Sequence, residues 1–274
     1  MEQTRATDQD NALIFEPVDG DDLADTRTAF LRFADSANLI LDRCGFPLCK
    51  GDIMARNPKW CLSTSEWRKT FADWIATPHP EALLNAAIFF DFRPLAGDAT
   101  LAASLRHWLI QRVQSHATFF MLMAQNALQV RPPLGILRDF APDDHELEGT
   151  IDLKKFAARP FVDAARIFAL KHGVSASNTA DRIRLAAPRM HMQTEEAAAI
   201  IDAFHFIQLL RLRNQEEASS RDPDILATTT FGGKLAFPNR INPDHLNELD
   251  RRILKEALRQ ARKLQSRMEM DFLH

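Results

Sequence analysis

The chain has 274 residues, 46% of them hydrophobic and 26% charged, with a formal net charge of −3. That balance is ordinary for a globular protein of one large or two ordinary domains, and it carries no global nucleic-acid signature. No apolar run approaches the ~20 residues that span a bilayer and no signal peptide opens the chain, so the default expectation is a cytoplasmic protein with neither membrane nor nucleic acid as partner.

In chain order, the first informative stretch is Thr7-Asp8-Gln9-Asp10-Asn11, which runs into the apolar Ala12-Leu13-Ile14-Phe15. Read as a strand, it projects Asp8 and Asp10 to the same side. Two hard oxygen ligands on one side of a rigid strand suit Mg²⁺, with waters and substrate phosphates completing the octahedron. The same pair also occurs as solvated turn residues.

An acidic turn at Asp19, Gly20, Asp21 and Asp22 leads into a helix expected over Asp22–Arg43 and stopped by Gly45. Phe30, Phe33, Ala37, Ile40 and Leu41 give that helix an apolar stripe at helical spacing. Pro47–Ala55 reads as a strand with Leu48, Lys50, Asp52 and Met54 on one face, which makes Asp52 a candidate third carboxylate beside an ordinary surface acid. Cys44, Cys49 and Cys61 lack paired spacing and read as small buried thiols; a metal site among them would need a fourth ligand such as His79. Ser63-Thr64-Ser65-Glu66 has capping-box spacing and opens a helix with Trp67, Phe71, Trp74 and Ile75, ended by Pro78 and Pro80.

The run Ala86-Ala87-Ile88-Phe89-Phe90-Asp91-Phe92-Arg93 reads as a strand with Phe89, Asp91 and Arg93 on one face. A charged pair beside three Phe is costly to bury unless its members meet each other or a ligand. Asp91 is therefore a second candidate for the third carboxylate and Arg93 for a phosphate contact, against a structural ion pair. Asp98 reads as the N-cap of one helix reaching about Val130, long enough to pass from a first domain into a second.

Arg131-Pro132-Pro133-Leu134-Gly135 breaks the chain, and an acidic loop with Asp143, Asp144, Glu146 and Glu148 follows. The remainder reads as helices: one with Pro160 in its first turn and ending before Gly173, one from Ser177 or Asn178 to Leu185, and a long one from Thr194 with Ile200, Phe204, Ile207 and Leu210 inward. Asn242-Pro243 opens the last, with Leu246, Leu249, Ile253, Ala257, Ala261, Leu264 and Met268 spaced by threes and fours. Its Arg251, Arg252, Lys255, Arg259, Arg262, Lys263 and Arg267 form a basic face, either solvated or a contact for phosphate or an acidic partner. His205 and Gln208 read as satisfied core groups. Gly232-Gly233-Lys234 lacks the strand and the fuller pattern of a P-loop.

Four stretches carry a resemblance: Glu2 through Asn11, Lys50-Gly51-Asp52-Ile53-Met54-Ala55-Arg56-Asn57, Phe89 through Asp98, and Arg131 through Gly135. Together they resemble a bacterial nucleotidyltransferase family of the DNA polymerase β superfamily, often found behind cyclic-nucleotide-binding and CBS domains and close to the protein-PII uridylyltransferases. The resemblance implies an α+β fold. A truncated, nucleotidyltransferase-like mixed sheet with helices over 1–113 would precede an all-α, substrate-binding helical bundle over 114–274. It implies Mg²⁺ on Asp8 and Asp10, with Asp52 or Asp91 assisting catalysis, and Arg5, Asn11 and Arg93 contacting the nucleotide.

By the same resemblance the substrate is an NTP, ATP or UTP. The acceptor is a hydroxyl that a regulatory protein can supply, and a homodimer is one assembly it allows. In the superfamily a Gly-Ser turn shortly before the Asp-x-Asp holds the triphosphate. This chain begins at Met1 inside that interval, so the expectation is a domain lacking its first strand and that turn. It would be either a fragment started at an internal Met or a short form impaired in nucleotide binding. The alternative is a catalytically inactive regulatory or protein-interaction module of a signal-transduction protein.

Overall fold

The computed structural model describes residues 4, 7–17, 20, 22–135, 140–141, 149–220 and 239–274. Arg5, Asp19, Asp21, the acidic loop at Asp143, Asp144, Glu146 and Glu148, and Gly232-Gly233-Lys234 lie outside the described residues. The chain divides into two compact units, Ala6–Val113 and a helical one comprising Gln114–His274 with Met1–Arg5.

In the first unit, β1 (Leu13–Phe15) pairs in parallel with β2 (Cys61–Ser63), Leu13 opposite Cys61 and Phe15 opposite Ser63. This two-stranded pair is the sheet of the unit among the described residues, smaller than the mixed sheet expected. Helix α1 (Leu23–Arg43) starts where Asp22 accepts the Ala24 N–H. It ends in a Schellman turn: Gly45 has φ +92°, its N–H donates to Asp42 O and the Phe46 N–H to Leu41 O, both at 3.0 Å. Only a residue without Cβ enters that left-handed region at no cost, so Gly45 sets the direction in which the chain leaves the helix.

Helix α2 (Thr64–Ala76) opens on the expected capping box, Ser63 with Glu66. Its Trp67 and Phe71 pack with Trp60, Trp74, Phe89 and Phe90 into one aromatic core, and the Trp67 indole N–H donates to Leu13 O at 3.0 Å, tying α2 to β1. Helix α3 (Pro80–Phe89) occupies the stretch read as a strand. The unbroken apolar run around Ala86–Phe90 suits a buried helix as well as a buried strand, and Pro80 at the N-terminus with His79 capping it decides for helix.

Helix α4 (Ala99–Val113) starts at Asp98, whose carboxylate accepts from the Thr100 N–H at 2.8 Å. The single helix expected to reach Val130 is instead two, because the chain turns at Gln114-Ser115-His116 before α5 (Ala117–Leu128). Ser115 Oγ lies 3.2 Å from His116 Nδ1, a side-chain hydrogen bond within that turn.

The second unit adds α6 (Arg159–Lys171), entered through a π-type turn at Leu153–Ala158, then α7 (Thr179–Ala186), α8 (Thr194–Ser220) and α9 (Glu248–Leu273). A short antiparallel pair, β3 (Ile151–Asp152) with β4 (Arg240–Ile241), had no sequence signal. The core holds Phe119, Phe120, Phe161, Phe168, Phe204, Ile207, Leu258 and Leu264, all under a tenth exposed. Leu249 and Ile253 of α9 are not in it: Leu249 is 67% exposed, and Leu254 and Leu258 take the inward positions. His205 is exposed rather than core. The basic face of α9 is largely occupied by its own neighbours, as in Arg252–Glu248, Arg259–Glu256 and Arg267–Asp271, with Arg262 near Pro132 O and Leu134 O.

Candidate metal centre

The segment Thr7–Ala12 runs extended into β1. The Gln9 N–H donates to Pro47 O and the Asn11 N–H to Ile53 O, each at 3.0 Å; Gln9 is buried and Asn11 half-buried, while Asp8 and Asp10 are exposed. The alternation inferred for a strand therefore holds on a segment that is extended and paired, among the described residues, at these two amides.

The inward side is a network of carboxamides. Gln9 Nε2 donates to Asn38 O at 3.0 Å and to Phe46 O at 2.8 Å, and Gln9 Oε1 accepts from Asn38 Nδ2 at 2.7 Å. Asn38 Nδ2 also donates to Asn11 Oδ1 at 3.1 Å; the backbone N–H groups of Ala55 and Arg56 donate to Asn11 Oδ1 and Asn38 Oδ1. This explains why α1 buries Ala34 and Asn38 rather than its apolar stripe. A small residue and an amide one turn apart let an extended backbone approach and satisfy it. Phe33, Ile40 and Leu41 are left exposed, Phe33 to 65%.

The loop after Gly45 then returns past Asp8 and Asp10. It is not the expected strand over Pro47–Ala55. Cys49-Lys50-Gly51-Asp52 is a turn closed by the Asp52 N–H on Cys49 O at 3.0 Å, and Asp52 sits at φ +53°, a left-handed conformation that Asp tolerates better than most residues. A strand's alternation is lost there. Cys49, not Asp52, reaches the two acids: one ligand atom each from Asp8, Asp10 and Cys49 lie within 4.8 Å of one another. Burial pushes the Cys49 thiol up, helped by a hydrogen bond to Asp10 and that residue's charge, while backbone N–H groups of Ile53 and Gly51 oppose the rise.

The remaining sequence candidates stand as follows. Asp52 reaches Arg56, with 3.7 Å between Oδ1 and Nε, and lies outside the group of three. Asp91, half-buried in the turn after α3, also lies outside it, and Arg93 is exposed on irregular chain, so no strand face joins them. Asn11 turns its carboxamide inward to Asn38 and Ala55. Cys61 is buried but Cys44 is exposed, against the reading of three buried thiols. Gln9, Asn38 and Cys49 went unread as site residues. Gln9 between two acids offered a signal, since its face must be the buried one if theirs is solvated. Cys49 offered none, being forty positions away along the chain.

Chemically, two exposed carboxylates on a fixed backbone can hold a divalent cation that keeps open positions for water and phosphate. A family model described as "Putative nucleotidyltransferase DUF294" matches residues 1–81, and one described as "Putative nucleotidyltransferase substrate binding domain" matches residues 117–272, more than half of the chain. No curated protein and no solved structure matches it.

Proposed function

The chain belongs to the nucleotidyltransferase family those two models describe, and from that premise we propose that it transfers a nucleotidyl group from a Mg²⁺-bound NTP, ATP or UTP, to a hydroxyl acceptor. The observation that carries this reading is the pairing of Asp8 and Asp10 on the outer side of a segment locked from within by Gln9, Asn11 and Asn38. The donor set fits the ion, since Mg²⁺ takes oxygen ligands and is commonly held by one or two carboxylates plus substrate phosphates. Bound there, Mg²⁺ neutralises charge on the triphosphate.

The chain's own residues do the positioning. The amide network fixes Asp8 and Asp10 before any ligand arrives, which reduces the ordering cost of binding. A third carboxylate, Asp52 or Asp91, removes the acceptor's proton. Asp52 lies 3.7 Å from Arg56, and Asp91 is half-buried in the turn after α3. The helices of 117–272 are proposed to hold the acceptor, by resemblance to the protein-PII uridylyltransferases a protein hydroxyl.

Titration calorimetry with Mg·ATP and Mg·UTP tests the reading. Affinity is expected to fall at least tenfold in Asp8→Asn and Asp10→Asn, the scale of loss caused by disturbing a metal's outer shell alone. Transfer of α-labelled nucleotide should vanish in one of Asp52→Asn and Asp91→Asn and survive in the other, which identifies the third carboxylate. Nucleotide affinity indifferent to Asp8 and Asp10 refutes the proposal.

A second reading, an interaction module without catalysis, is favoured by the exposed apolar face of α1, Phe33, Leu39, Ile40 and Leu41. The two separate genetically. Asp10→Asn inactivates the enzyme, whereas Phe33→Asp inactivates the module.

A further inference from the structure

Helix α1 buries Ala34 and Asn38 and leaves its opposite side bare. Six of the fourteen large apolar side chains exposed among the described residues fall within Leu23–Phe46, so the exposure is concentrated rather than scattered, as at an interaction surface. On the bare side Ala29, Phe33, Ser36, Ile40 and Arg43 recur at alternating steps of four and three, the seam spacing of two helices packed lengthwise. Every one of the five is exposed, so the packing of the unit itself does not use this seam.

Two features of the seam state what fits it. Large and small side chains alternate, Phe33 and Ile40 with Ala29 and Ser36. Laid antiparallel on a second α1, about a two-fold axis level with the Ala34–Asp35 peptide, the seam sets Phe33 opposite Ser36 and Ile40 opposite Ala29. Each large side chain then meets a small one, as interdigitation requires. A parallel pairing sets Phe33 on Phe33 and Ala29 on Ala29. Ser36 Oγ already donates to Arg32 O at 3.1 Å, so covering it strands no hydroxyl.

The charges obey the same symmetry. Asp25 in the first turn and Arg43 in the last are both exposed, and they lie about five turns apart and therefore on one flank. In the antiparallel register Arg43 comes opposite the turn that carries Asp25 of the second copy, twice per pair. A parallel register sets like charges together.

We propose that α1 is a self-association surface through which two copies of this chain pair, helix against helix and antiparallel. A helix of 21 residues is about 32 Å long, so the contact is at the small end of specific interfaces and the dimer is weak, with micromolar dissociation. The pairing needs neither metal nor nucleotide, and it gives the apolar face invoked for an interaction module an occupant without requiring that reading. A chain that both dimerises through α1 and transfers nucleotide keeps the pairing and removes the module.

Sedimentation equilibrium of the full chain, under reductant so that the exposed Cys44 forms no disulfide, should show a monomer–dimer equilibrium at micromolar concentration. Phe33→Asp should weaken the dimer at least about thirtyfold, since the change acts twice and truncating one central aromatic commonly costs that much. Its circular dichroism and urea midpoint should stay as they were, because Phe33 is exposed in the single chain. Asp25→Lys and Arg43→Glu each set like charges opposite one another and should weaken the dimer roughly fivefold. Mixed in equal amounts, these two variants should recover the original affinity as a heterodimer, in which both facing pairs are again of opposite sign. A chain that stays monomeric at every concentration overturns the proposal. So does a dimer indifferent to Phe33→Asp, or a mixture of the charge variants that associates no better than either alone.

Discussion

Replacing Asn38 by Ala tests whether the carboxamide network holds the acids in place. Asn38 is 2% exposed and its side chain makes three hydrogen bonds, to Gln9 Oε1 at 2.7 Å, to Asn11 Oδ1 at 3.1 Å and from the Arg56 N–H at 3.2 Å. At roughly 1 kcal/mol net each, their loss costs about 3 kcal/mol. Gln9 Oε1 still accepts from Asn11 Nδ2 and Asn11 Oδ1 from the Ala55 N–H, so only the Arg56 N–H loses its acceptor outright, and the upper end of the desolvation range is not reached. The vacated volume adds on the order of 1 kcal/mol.

The sum, about 3–4 kcal/mol, is a large share of the ~5–15 kcal/mol that stabilises a domain. Trp60, Trp67, Trp74 and Trp108 are the four tryptophans of the chain and all lie in the first unit, so their fluorescence during urea denaturation reports that unit alone. With a slope of about 1–3 kcal/mol/M, the midpoint should fall by roughly 1–4 M at unchanged slope. Asn38→Asp should do as badly, since it sets a carboxylate oxygen against two acceptors. A midpoint shift worth less than about 0.5 kcal/mol refutes the role given to the network.

Asp8→Asn should act in the opposite direction, because two carboxylates with oxygens within 4.8 Å repel by about 1 kcal/mol in bulk water; without divalent ions the midpoint should rise slightly, and a clear fall would refute this. For Glu66, burial by itself would raise the pKa, but donors from Ser63 and the Arg27 guanidinium hold it below 4.5. A depressed folded-state value means stability that is present above the unfolded pKa and lost as pH falls through the folded one. Glu66→Gln should therefore cost about 1 kcal/mol at neutral pH and progressively less in acid, read from urea midpoints at several pH values. Lys69→Ala breaks an exposed pair, Lys69–Asp73 at 2.6 Å, and should move stability by no more than about 0.5 kcal/mol.

Much of the local structure was written in the chain. The capping box at Ser63–Glu66, the start of α1 at Asp22 and its stop at Gly45, Pro160 in the first turn of α6 and Asn178 capping α7 each depend on residues a few positions apart, which is the range over which sequence states structure directly. The same-side placement of Asp8 and Asp10 was legible too, since alternation belongs to any extended backbone. Helix against strand was not legible for Ala86–Phe90, where an apolar run fits either, nor was the break at Ser115, which has neither Gly nor Pro.

What only the tertiary structure decided was which face of α1 is buried and which loop comes back to the acids. Periodicity states that Phe33, Ile40 and Leu41 share a side; it does not state that an extended, amide-hungry segment lies across the other side and requires Asn38 there. Likewise Cys49 joins Asp8 and Asp10 because a left-handed Gly45 redirects the chain after a helix of 21 residues, and because a positive φ at Asp52 replaces a strand by a turn. Side-chain type and spacing describe what each segment can bury or bind. Which segments meet is settled by backbone hydrogen bonds between residues some forty positions apart, and those depend on the whole unit being folded.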